Sequence, residues 1–143
     1  MQKKRFLVKS YGDNKEGAKA GLIKTISLLD NYNHAVIVVP QIGQVKNTML
    51  TEILGKEISD KLIKEREITF DGGKKMSLCG QATLKNQRPA DIYLALWGSK
   101  STISEIESLS QWNAAVLVTW LPEDSKQWES ENSVEVIYDD KAG

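Results

Sequence analysis

Residues 5–29 read RFLVKSYGDNKEGAKAGLIKTISLL, a strand, a glycine turn and an amphipathic helix in succession. Phe6, Leu7 and Val8 make a short apolar run bounded by Ser10, Tyr11 and Gly12, as in a strand buried on both faces. Gly12 allows a sharp turn. Asp13, with Glu16 three residues on, forms an Asp-x-x-Glu variant of the capping box, which ties up two backbone donors of the first helical turn. Ala18, Leu22, Ile26 and Leu29 then fall on one stripe, with Lys15, Lys19 and Lys24 off it. Gly17 and Gly21 are four apart and share a face. Each costs up to about 1 kcal/mol relative to alanine in a helix interior, so the pair predicts a very close neighbour on that face.

Two kinds of neighbour fit. The spacing Gly12-x4-Gly17-Ala18-Lys19 approaches a Walker phosphate loop, in which backbone amides cradle phosphates and a Lys-Ser/Thr pair completes the site. Here Ala18 stands where the lysine belongs and Lys19 where the Ser/Thr belongs. Asp13 and Glu16 also bring negative charge to the place a phosphate would occupy. The dinucleotide pattern Gly-x-Gly-x-x-Gly is missing as well. The alternative, which these departures favour, is that both glycines let the helix lie close on its sheet.

The same unit recurs outward along the chain. Ala35 to Val39 is an unbroken, mostly β-branched run ended by Pro40, as in a central parallel strand. The loop Gln41-Ile42-Gly43-Gln44 leads into a helical pattern from Val45 to Glu65, with an interruption expected at Gly55. His34 stands where this strand begins, opposite the ligand end of doubly wound folds, and reads as a surface or capping residue. Ile68-Thr69-Phe70 and Met76 to Cys79, joined through Asp71-Gly72-Gly73, read as a hairpin whose glycines supply positive φ, with Gln81 to Leu84 extending the second arm. Asp91 to Trp97 is a third strand. A Gly98-Ser99-Lys100-Ser101 turn follows, then a helix from Thr102 to Ser110 capped by a Thr102-x-x-Glu105 box, with Ile103, Ile106 and Leu109 buried. Ala114 to Trp120 is a fourth strand, followed by a short helix through Trp128, and Val134 to Tyr138 is a closing edge strand.

These units describe a single domain over residues 1–143. Its fold class is α/β: a doubly wound, mostly parallel sheet with helices on both faces and an inserted β-hairpin around residues 67–84. In pattern it resembles Rossmann-like and flavodoxin-like domains, a breadth of resemblance that transfers no residue roles. A strand order near 3-2-1-4-5 follows as the first expectation.

Composition narrows the function classes. The 143 residues, 41% hydrophobic and 27% charged, fit one ordinary soluble domain. Nineteen basic residues balance nineteen acidic ones, leaving no overall field to draw in nucleic acid or an anionic membrane. Cys79 is the only cysteine and His34 the only histidine, which argues against a disulfide framework or a zinc site and for a cytoplasmic setting. Cys79 reads as a small packed side chain rather than a nucleophile.

In open parallel sheets a ligand sits outside the carboxyl ends of the strands, beside helix N-termini. That places Ser10, Tyr11, Gly12, Asp13 and Asn14 of the first unit at the candidate site, with Gln41 and Gly43 of the second. Trp97, Gly98, Ser99 and Lys100 join from the third and Trp120 from the fourth. The set offers hydroxyls, an amide, one acid and two large aromatics, able to stack a ring or form a protein-binding hot spot. It contains no Gly-x-Ser-x-Gly elbow and no carboxylate cluster of metal-ligand spacing, so no cofactor or metal is implied. Capping accounts for Asp13 and Glu16. Three readings stay open: a non-catalytic binding or regulatory module acting through protein association or self-association, a binder of a nucleotide or small phosphorylated ligand at the first strand-to-helix turn, and a small hydrolase-type enzyme using Asp13.

Overall fold

The computed structural model describes residues 3–10, 15–40, 51–52, 54–86, 90–109 and 112–139. Its strands are β1 (Lys4–Lys9), β2 (His34–Val39), β3 (Glu67–Thr69), β4 (Lys75–Gly80), β5 (Ile92–Gly98), β6 (Ala114–Thr119) and β7 (Glu135–Asp139). The helices are α1 (Lys15–Leu28), α2 (Lys56–Glu65), α3 (Lys100–Ser108) and α4 (Lys126–Glu131), with 3-10 turns at Asp71–Gly73, Gln81–Asn86 and Pro122–Ser125. Together the strands form one sheet in the order β3-β4-β2-β5-β6-β1-β7. Every pair is parallel except β3 with β4.

Alternation along the strands divides the core in two. Phe6, Val8, Ile37, Leu94, Val116 and Val118 face one side, where Ala18 and Leu22 of α1 and Leu62 of α2 cover them. Leu7, Val38, Tyr93, Ala95 and Leu117 face the other, under Leu84, Ile103 and Ile106 of α3, and Trp128 of α4. Because both faces are covered, the central strands are apolar throughout rather than alternating. The connections β1 to β2 and β2 to β4 run toward the β3 edge on the first face, whereas β4 to β5, β5 to β6 and β6 to β7 run toward the β7 edge on the second. All five crossovers therefore share one hand, as twisted parallel strands require.

The strand order corrects the expectation. Counting βα units and leaving the hairpin aside, the strands run 2-3-4-1-5 rather than 3-2-1-4-5. The glycine face of α1 supplies the physical reason. At Gly21 the nearest atoms to a would-be Cβ belong to Val118 of β6, Leu94 of β5 and Val8 of β1, and at Gly17 they belong to Ser10 and Val8. The helix thus lies directly across β1, β6 and β5, which sets two strands between β1 and β2. The close neighbour called for by the paired glycines is the sheet.

Other boundaries also move. The hairpin exists, with Gly72 at φ 87° and Gly73 at φ 81°, but β4 is an internal strand paired with β2 over its whole length and only β3 lies at the edge. Residues Gln81–Asn86 form a 3-10 turn instead of lengthening the arm. Gly55, at φ 87° and ψ 155°, does interrupt the second helical region. Helix α3 starts earlier than its Thr102–Glu105 pattern suggested: Ser99 is its N-cap, its side chain accepting from Thr102 N–H. The Asp13 cap lies outside the described residues.

Polar groups fasten the elements. The Glu107 carboxylate of α3 accepts from Arg5 Nε at 2.8 Å and Nη2 at 3.0 Å, and from Trp128 Nε1 at 2.6 Å, joining β1, α3 and α4. Burial works against the charged form of Glu107, but the hydrogen bonds from Arg5 and Trp128, with the charges of Arg5 and Lys3, outweigh it and hold the carboxyl below its usual range.

Candidate functional site

The carboxyl ends of the parallel strands lie along one edge of the sheet, and β5, β6 and β1 are consecutive there. The structure therefore brings Trp97, Gly98 and Ser99 beside Trp120, and Trp120 beside Ser10. Thr119 Oγ1 fastens this row by donating to the carbonyls of Val8 at 3.3 Å and Ser10 at 3.0 Å. Tyr11, Gly12, Asp13, Asn14, Gln41 and Gly43 lie outside the described residues.

Individual environments differ sharply. Ser10 is buried and fills the space beside Gly17. Trp97 sits at a bulge where the β5–β6 register shifts between Leu96 and Gly98, with φ 56°, a conformation that costs a non-glycine residue about 1–3 kcal/mol. Half-buried, it packs on the α1 side of the sheet. Gly98 has no room for a side chain: a Cβ there would lie 2.9 Å from both Ala95 Cβ and Leu117 Cδ1. The bulge turns the chain at that point so that Ser99 can cap α3.

Around that cap lies a network that the sequence reading did not assemble. Gln81 Nε2 donates to Ser101 Oγ at 2.9 Å, and Thr102 Oγ1 donates to Gln81 Oε1 at 2.6 Å. Ser99 N–H donates to Thr102 Oγ1 at 3.2 Å, and the hydroxyls of Ser99 and Ser101 lie 3.0 Å apart. Pro40, Gln81, Ala82 and Glu105 border a shallow cavity of about 350 Å³ beside it. Gln81 stayed hidden because its place at this edge depends on β4 pairing in parallel with β2. These groups satisfy one another, so the network braces the start of α3.

Two of the four large apolar side chains exposed among the described residues lie next door. Trp112 and Trp128 are buried, whereas Trp120 is 42% exposed and Leu121 46%. The pair is held rather than loose: Leu121 N–H donates to the buried Asp124 carboxylate at 3.0 Å, and Asp124 N–H donates back to the Leu121 carbonyl at 3.1 Å. The sequence carried a sign of this in Leu121-Pro122, since proline forces the chain out of the strand directly after two large apolar residues.

No protein-family model matches the chain, and no curated protein matches it.

Of the other titratable groups, His34 stands at the opposite end of β2, whereas Cys79 lies near the carboxyl end of β4. His34 Nε2 lies 2.9 Å from Ser77 Oγ near the opposite ends of β2 and β4. Cys79 is buried, and that burial pushes its thiol up to about 11, the reverse of what a nucleophile needs. Burial likewise raises Tyr93, whose hydroxyl accepts from Ala90 N–H at 3.2 Å. Among the described residues no group of three or more His, Cys, Asp and Glu side chains could hold a metal ion, and no helix is long and apolar enough to cross a membrane.

Proposed function

We propose that this protein is a non-catalytic α/β module of the doubly wound type that works by binding a protein partner through Trp120 and Leu121. The observation that carries the proposal is the exposure of these two side chains on a backbone fixed by Asp124. Single exposed apolar residues are ordinary on a protein surface, but an adjacent Trp-Leu pair on an anchored turn has the composition and rigidity of an interface anchor. Helices on both faces and crossovers that change face with direction support the doubly wound grouping. A single buried thiol fits a reducing, cytoplasmic setting.

The competing reading, a nucleotide or small phosphorylated ligand at the turn after β1, has less support. A phosphate loop keeps open the space above its glycines, and here Ser10 occupies the space beside Gly17.

A photoreactive side chain at position 120 tests the proposal, with one at the exposed position 23 of α1 as control. The expected result is a discrete protein adduct, formed in cells from position 120, absent from position 23 and lost when Leu121 is changed to Asp. The same adducts from both positions, or none from 120, would overturn it. A rise in melting temperature with nucleotides, absent in Ser10→Val, would instead favour the phosphorylated ligand.

A further inference from the structure

We draw no further inference here: the strongest candidate, the shallow cavity bordered by Pro40, Gln81, Ala82 and Glu105 where the chain leaves the neighbouring strands β2 and β5 in opposite directions, carries nothing because the Gln81 amide and the hydroxyls of Ser99, Ser101 and Thr102 beside it bond to one another and nothing in the structure shows what would occupy it.

Discussion

Replacing Gly21 by alanine sets two effects of opposite sign against each other. In a helix interior the change is favourable by about 1 kcal/mol from backbone propensity alone. At this position, however, the new Cβ would fall inside the van der Waals envelope of Val118 Cγ2 and touch Leu94 Cδ1 at 3.4 Å. Val118 is fully buried in β6, with β5 and β1 on either side, and β-branching leaves its side chain few alternatives. Relief therefore requires α1 to lift from the sheet, loosening Ala18 and Leu22 with it. Overpacking costs about 1–3 kcal/mol, and against a fully buried, β-branched neighbour the upper part of that range, about 2–3 kcal/mol, applies, so after the propensity gain the expected net effect is a loss of about 1–2 kcal/mol. Urea unfolding followed by tryptophan fluorescence reads it as a midpoint lowered by roughly 0.5–1 M, taking a denaturant slope of about 2 kcal/mol/M. Ser27→Ala, exposed on the same helix, is the control and should be neutral or slightly stabilising. A Gly21→Ala midpoint at or above the wild-type value would refute the close seating of α1 on β6.

Glu107→Gln should cost about 1–3 kcal/mol at neutral pH, because Arg5 loses its charged partner. As the folded carboxyl titrates below its usual range, the stability it contributes is present above the unfolded value and is lost as the pH falls through the folded value. Urea midpoints of wild type and variant should therefore converge toward acid pH; a constant gap would contradict the assignment. Gly55→Ala, forced into a conformation that only glycine adopts readily, should cost about 1–3 kcal/mol, read as a lowered urea midpoint. Cys79, with its thiol pushed up to about 11 by burial, should react with thiol reagents at pH 8 no faster than the protein opens. Labelling at the rate of a free thiol would show the side chain to be accessible.

The sequence made the layers legible but not their arrangement. Runs such as Ala35 to Val39 and Ala114 to Trp120 are strands because their unbroken apolar character suits burial on both faces, and the observed strands, His34–Val39 and Ala114–Thr119, differ from them by one residue each. Strand order was hidden, because nothing local in Phe6 to Val8 records that β6 and β7 will flank it; the contacts of Gly21 with Val118 and Leu94 show α1 crossing β6 and β5, and nothing in the glycine pattern points to β7. The hairpin misled for a related reason. Asp71-Gly72-Gly73 announces a turn, yet whether the arm after it is decorative or internal depends on β2, more than thirty residues earlier. At the candidate site, the residues ending β1, β5 and β6 could be named because a parallel sheet collects its carboxyl ends on one edge. Their environments could not. Burial of Ser10 and exposure of Trp120 follow from which helix lies over which strand.

The contribution of Trp120 to binding tests its role as docking anchor most directly. With the partner identified by the position-120 cross-link and purified, the dissociation constant is measured for wild type and for Trp120→Ala. An interface tryptophan of this kind contributes at least about 2 kcal/mol, so affinity should fall by roughly 30-fold or more. The unfolding free energy should stay within about 0.5 kcal/mol of wild type, as for a surface substitution. An unchanged dissociation constant, or a loss of binding accompanied by an equal loss of stability, would contradict the claim that Trp120 is the docking anchor.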